Sequence, residues 1–269
     1  MNLVNLKKKL VRIVVIALLA TSSGIALAQD QDGSNNGEWE FALSPLFLWG
    51  MGISGDATIG DATAPLDLAF SDVWDNLDAV FTLHFEARKD KWGIFAEYQY
   101  ASLKPEAEVS TGPVSVLAKI GFKSTMVELG GAYAFWETQN TRWELLGGLR
   151  YTDQDVDVEG TLTFPPPVDE RTLDVKGGDN WTHAIVGTRF FGTMSDNWTF
   201  IARTDVGYGG SDNKAFNATA LFDYRFRNWG SVFFGYRYLK YDYDNDKTND
   251  TYAFDAYQSG PLAGLTIHW

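Results

Sequence analysis

The sequence contains no cysteine, so no disulfide framework can staple it. It has no apolar run approaching the roughly 20 residues a helix needs to cross a bilayer. It lacks a basic excess: the formal net charge is -13, which repels nucleic acid and excludes it as a partner class. A helical membrane protein, a disulfide-rich scaffold and a nucleic-acid-binding domain are therefore all disfavoured.

Aromatic residues make up 15 % of the chain and there are 26 glycines, a composition that suits many short strands. Residues 1–28 read as a cleaved secretory signal. Lys7, Lys8, Lys9 and Arg12 lead, Ile13 to Ala20 is a short apolar core, and Ala26-Leu27-Ala28 is a small-x-small cleavage site. Removing those four cations takes the net charge from -13 to -17. Residues 29–37 read as a polar, disordered periplasmic leader, and 38–269 as the folded domain.

From Trp39 onward the pattern has period two. Ala79, Phe81, Leu83, Phe85 and Ala87 alternate with Thr82, His84, Glu86 and Arg88. Phe200, Ala202, Val206 and Tyr208 oppose Arg203 and Asp205. Val232, Phe234, Tyr236 and Tyr238 oppose Ser231, Gly235 and Arg237. One face is apolar and aromatic while the other carries charges of both signs, the lipid-out, lumen-in pattern of a transmembrane barrel. A soluble antiparallel sandwich also alternates. The aromatic face, the export signal and the alternation of short and long connections argue against it.

The fold class expected is all-β: an antiparallel, up-and-down transmembrane β-barrel. Ten strands are expected, at 38–50, 78–89, 91–104, 121–136, 142–158, 180–193, 197–209, 213–227, 229–242 and 254–269. Eight and twelve stay open, because 55–70 can add or extend a hairpin. Short turns fall near Asp90, at 137–142, at 195–197 and at 227–228; longer connections fall near 51–77, 104–120, 159–180 and 242–252. An even strand count puts both termini in the periplasm of a bacterial outer membrane. Seven of the ten tryptophans (Trp39, Trp92, Trp136, Trp143, Trp198, Trp229 and Trp269) lie at that end, where indole suits the membrane–water boundary. Trp136 and Trp229 break their strands' outward parity and imply a bulge or turn.

Four segments carry a resemblance: Ser44-Pro45-Leu46-Phe47-Leu48-Trp49, the run from Phe70 to Asp78, Phe85-Glu86-Ala87-Arg88-Lys89, and Trp92 to Tyr98. They resemble a widespread, largely uncharacterised group of Gram-negative outer-membrane barrels, broadly OmpA-like in architecture. The resemblance implies the fold and the location and carries no activity. The last strand, alternating Ala263, Leu265, Ile267 and Trp269 with Gly264, Thr266 and His268, resembles the terminal signal read by the outer-membrane assembly machinery. The partners implied are that machinery, outer-membrane lipids and lipopolysaccharide.

Thirteen charged residues share inward parity: Glu40, Glu86, Arg88, Glu97, Glu128, Glu144, Arg150, Arg189, Arg203, Asp205, Asp223, Arg225 and Arg237. Seven are acidic and six basic, so the lumen is nearly balanced. Two readings stay open, a structural salt-bridge network and a narrow, weakly selective water path. All three histidines also point inward, and His84 neighbours Glu86, an arrangement that can serve acid–base chemistry. No Ser-His-Asp grouping can be assigned, and no enzyme activity, cofactor or metal is expected. Two further features are Ser71 to Leu77, a helical turn capped by Ser71 with Trp74 and Leu77 on one side, and the acidic loop 241–250. The turn reads equally as a plug in the lumen or a packed surface loop. The loop lacks the glycine and closing glutamate of a calcium site and reads as solvated.

The preferred function is a small outer-membrane barrel with a structural or narrow-pore role. The alternative is adhesion or recognition through the loops, followed by a lipid-modifying enzyme.

Overall fold

The computed structural model describes residues 37–104, 106–111, 114–163, 171–245, 247 and 251–269. The signal segment, nearly all of the leader, the triple proline at 165–167 and residues 246 and 248–250 of the acidic loop lie outside the described residues.

The chain runs β1 (Glu40–Ser44), β2 (Phe47–Trp49), β3 (Gly52–Ile59), β4 (Ala62–Leu68), α1 (Phe70–Asp75), β5 (Leu77–Lys89), β6 (Trp92–Leu103), β7 (Glu106–Thr111), β8 (Val114–Glu137), β9 (Thr141–Thr163), β10 (Arg171–Ser195), β11 (Trp198–Gly210), β12 (Asn213–Arg227), β13 (Gly230–Asp244) and β14 (Tyr252–His268). Consecutive wall strands pair antiparallel, and β1 pairs with both β5 and β14, which closes the sheet. β1, β2 and β3 succeed one another along β14 as a single interrupted wall strand. The barrel therefore has ten strands, as the period-two reading expects. Closure through β1 pairs the first and last wall strands at the turn end, so the sheet has no open edge there.

Both ends of the chain lie at one end of the barrel. Phe41 N–H donates to the Trp269 carbonyl at 2.9 Å, and Trp269 N–H returns a bond to Phe41 at 3.1 Å. The short hairpins lie at this turn end. Asp90 sits there at φ 52°, a left-handed conformation uncommon outside glycine, and its carbonyl accepts a bond from Arg142 Nη2 at 3.0 Å. The long strands project at the other, loop end.

All seven predicted tryptophans fall at the turn end, and six of them are exposed on the outer surface: Trp39, Trp92, Trp136, Trp143, Trp229 and Trp269. A bulge at Phe135 restores Trp136 to the outside, and Trp229 occupies a turn, which resolves the parity breaks. Two more bulges, at Met194 and Phe226, do the same for those side chains. Outward tyrosines mark the opposite boundary at Tyr98, Tyr151, Tyr208 and Tyr257. Trp143 and Tyr151 are eight residues apart on β9, about 27 Å of strand. Tilted as barrel strands are, that length matches an apolar band roughly 25 Å tall.

Beyond the tyrosines the polarity of the wall inverts. On β9 the outward positions become Asp153, Asp155, Asp157 and Glu159, while Val156 and Val158 point inward. On β13, Tyr241 and Tyr243 are buried inside and Asp242 and Asp244 lie outside. This corrects the expected long connections. Most of 104–120 is a β7–β8 hairpin, most of 159–180 is β9 and β10, and 51–77 holds the β3–β4 hairpin and α1. A sheet standing in water faces its polar side outward, so these segments alternate in the opposite sense from the strands below.

The helix differs from expectation in two respects. It spans Phe70–Asp75, and Ser71 lies inside its first turn and does not cap it. The Asp72 carboxylate accepts the Ala69 N–H at 2.9 Å instead. Its buried side chain is Val73, while Trp74 is 53 % exposed.

Candidate functional site

The inward face of the turn half is a single connected set of charges. At its lower end Arg142 joins Glu137 and Glu144, each at 2.7 Å. Glu144 also accepts from Arg189 at 2.7 Å, and Arg189 reaches on to Glu86. Glu86 is shared with Arg88 and with His84 Nε2, the latter at 3.1 Å. His84 Nδ1 faces Glu97 at 3.0 Å, so each ring nitrogen meets a carboxylate. Glu97 accepts from Arg237 on the opposite wall at 2.7 Å.

Arg237 Nε donates to Asn217 at 3.0 Å, and Asn217 Nδ2 donates to Asp205 at 2.8 Å. Arg150, with no solvent exposure, then bridges Asp205 at 2.8 Å and Glu128 at 2.7 Å. Arg203 spans the same two carboxylates at 2.8 and 2.6 Å. Guanidinium planes fill the space between these contacts. Arg88 lies 4.4 Å from the Phe191 ring centroid, Arg203 5.1 Å from Phe95, and Arg237 5.0 Å from Trp49.

Ten of the thirteen predicted residues thus belong to one network: Glu86, Arg88, Glu97, Glu128, Glu144, Arg150, Arg189, Arg203, Asp205 and Arg237. The other three sit nearer the turn end. Asp223 accepts a hydrogen bond from Ser231 at 2.7 Å, and that hydroxyl also meets His268 Nε2 at 2.9 Å. Arg225 and Glu40 are exposed at the turn-end rim. Arg142 was left out of the inward set although the expected strand 142–158 begins there with the parity of Glu144; on β9 its Nε donates to Glu144 at 2.7 Å.

Phe95 explains how the network is spaced. Its ring is 3 % exposed and packs with Ala132, Leu146 and Ile185. It occupies the room left by Gly130, where an added Cβ would meet the Phe95 ring at 2.4 Å.

Above the charges the lumen becomes apolar. Trp181 stacks on Tyr243 at 4.1 Å between centroids, and Tyr241, Tyr252, Phe254, Leu239 and Met126 join the same buried cluster. Tyr252 donates to Gln154 at 2.7 Å. His183 is fully buried beside Tyr241. Among the described residues no group of three His, Cys, Asp or Glu side chains is arranged to hold a metal ion. On the outer, lipid-facing surface, Met194, Trp198, Phe222 and Phe234 line a shallow depression of about 460 Å³.

Chemically, this interior ties the walls of the barrel to one another. An arginine buried between two carboxylates is stable only while both partners are present, because an unpaired charge in so dry a place is costly.

No family model matches the sequence. No curated protein matches it. Among solved structures, the chain is similar to the outer membrane protease OmpT from Escherichia coli, at 10 % identity and a TM-score of 0.52, over 87 % of this chain and 97 % of that one. It also matches the translocator domain of the autotransporter NalP from Neisseria meningitidis at 12 % identity and a TM-score of 0.46, over 98 % and 95 % of the two chains. Ail of Yersinia pestis matches at 8 % identity and a TM-score of 0.33, over 87 % and 99 %. The first of these likenesses shows the fold alone: a closed, antiparallel β-barrel of the kind found in that outer-membrane protein.

Proposed function

We propose that this protein is a structural outer-membrane barrel whose lumen is sealed, with both termini in the periplasm and the extended strands outside the cell. The observation that supports it best is the continuity of the ion-pair network across the bore, from Glu137 through Arg189, Glu86 and Glu97 to Arg237 and Arg150. A conducting lumen leaves its charges hydrated along a water path; here the side chains of Arg150, Glu128 and Asp205 have no solvent exposure. The five arginines and five carboxylates at the centre balance, so the interior carries no one-sign ring for ion selection. His84 has both nitrogens engaged by carboxylates, so this reading gives it a structural role.

Residues 1–28 are assigned as the export signal on their charge and apolar pattern. Liposome swelling tests the sealed lumen. Vesicles carrying the protein should admit small neutral sugars no faster than empty vesicles. Uptake rising in proportion to the protein added contradicts a sealed lumen.

A further inference from the structure

The wall is not continuous all the way round. β1 pairs with β5 only from Glu40↔Arg88 to Ser44↔His84. Pro45, which has no N–H to donate, ends that ladder; β2 continues along β14 alone, and β3 lies between β14 and β4. From Asp78 to Leu83, β5 is paired with β6 on one edge and has no ladder partner on the other among the described residues. The last tie across the split is a side chain. The Phe47 N–H donates to Thr82 Oγ1 at 2.8 Å, and the Thr82 hydroxyl donates back to the Phe47 carbonyl at 2.5 Å.

The split has apolar lips. Val80 has the inward parity of its strand yet is 39 % exposed. Leu48, Phe81, Phe70 and Trp74 are exposed around it. Phe81 pairs with Tyr100, so the opening lies at the level of the outer tyrosines, where outer-leaflet lipid meets water.

α1 lies beside this opening. Val73 turns inward into the aromatic cluster, while Phe70 and Trp74 contact each other at 5.8 Å and face out. Gly50 lets the Phe70 ring approach, since a Cβ there would sit 2.9 Å from it. At the helix end, the Asn76 carbonyl accepts the Lys104 N–H at 2.9 Å, which ties the segment to the end of β6.

Behind the helix, the aromatic cluster holds buried donors that have no hydrogen-bond partner among the described residues: Trp49 Nε1, Trp181 Nε1 and Gln154 Nε2. Buried polar atoms are nearly always bonded, so this grouping in one place marks a site. These three atoms are all donors, which calls for a ligand that supplies acceptors. The charges beneath are already matched, so a net charge on the ligand would be unfavourable there.

We infer that the split between β2 and β5, covered by α1, is a lateral port from the outer leaflet into the aromatic chamber, and that the chamber binds a neutral aromatic molecule bearing carbonyl or ether oxygens. Such a ligand stacks on Trp181 and accepts from the indole N–H groups once Val73 withdraws. A closed bore is compatible with this route, because entry is sideways. Conductance tests the sealed lumen and ligand binding tests this port, so the two ideas fail separately.

The test uses the full-length protein in lipid nanodiscs and the naphthyl ketone prodan, whose emission shifts to the blue in apolar surroundings. Saturable binding is expected. Trp49→Phe with Trp181→Phe leaves an aromatic ring at each position and removes both donors, and should weaken binding about tenfold or more. Replacing residues 70–75 with glycine and serine should speed association severalfold, and Val73→Ser, a milder change, should do so to a smaller degree. Heat-modifiable gel migration confirms that each variant is folded. The inference is overturned by no saturable binding to wild type, by equal affinity in the tryptophan double variant, or by association rates that ignore both lid variants.

Discussion

Arg237 on β13 and Glu97 on β6 are 140 positions apart in sequence, yet they meet across the barrel with Nη1 and Oε1 at 2.7 Å. The pair ties opposite walls together, and its two side chains are only 5 % and 10 % exposed. Removing one partner leaves the other charge stranded in the interior. Arg237→Ala should therefore destabilise the barrel by about 3–5 kcal/mol. Lys240 and Asp255, an outward pair at 47 % and 63 % exposure, provide the contrast. Lys240→Ala should cost less than about 1 kcal/mol. Urea unfolding of both variants in phospholipid vesicles measures the difference. Equal losses would show that burial does not govern these pairs.

Gly130 makes room for Phe95, and Phe95 supports the guanidinium of Arg203. A branched side chain at Gly130 must displace that ring. Gly130→Val should cost roughly 1–3 kcal/mol by overpacking. Adding Phe95→Ala should recover part of the loss, because the smaller side chain relieves the clash. If the double variant is less stable than the sum of the singles, the steric account is wrong.

Asp179 lies beyond the tyrosine boundary, where its carboxylate accepts from Asn245 at 2.8 Å and Lys247 at 3.2 Å. Burial opposes ionisation of Asp179, but bonds from Asn245, the Asn180 backbone and Lys247 outweigh it and hold the carboxyl below its ordinary value. A depressed acid contributes its stability above the unfolded value, roughly 3.9, and loses it as pH falls through the folded one. Asn245 Oδ1 in turn accepts the Tyr252 N–H at 3.1 Å. Hydrogen exchange at the Tyr252 amide should thus stay protected, after correction for intrinsic rates, down to about pH 4 and lose protection below it. Asp179→Asn should remove this dependence; a pH response that survives in the variant would assign it to another group.

Trp269 stacks on Phe41 at 5.5 Å and 18° between ring planes, directly over the backbone bonds that join the two ends of the barrel. The β1–β14 ladder at that point has only the Ala42↔His268 and Leu43↔Ile267 partners. Trp269→Ala should weaken closure there and lower the temperature at which the compact gel form converts to the unfolded one. An unchanged conversion temperature would mean that the stacking adds nothing to the seam.

How much of this was readable in advance depended on where the membrane stops. Below the tyrosines, lipid forces apolar side chains outward, so parity alone assigned Glu86, Arg150 and Asp205 to the interior. The split at Pro45 was not visible, because β2 and β3 keep an alternating pattern whichever neighbour they pair with. Above Tyr151 water replaces lipid, and Asp153, Asp155 and Asp157 point outward on a continuing strand. The expected strand 142–158 took these in, but their continuation at 159–163 and 171–180, and the β7–β8 hairpin, read as connections because they are polar. The partners within the network were also hidden, since period two places a side chain inside without saying which wall it reaches. Arg142 shows the same gap at a strand's first residue: it shares the parity of Glu144, and its pairing with Glu144 and Glu137 appears only in the structure.

The central claim is that matched charges and packed aromatics close the bore. Single-channel recording in a planar bilayer tests it most directly. The account predicts a quiet membrane with wild-type protein, and current steps only when Arg150 and Arg237 are both replaced by alanine and the network loses its central cations. Large, stable, open steps from the wild-type protein would contradict it.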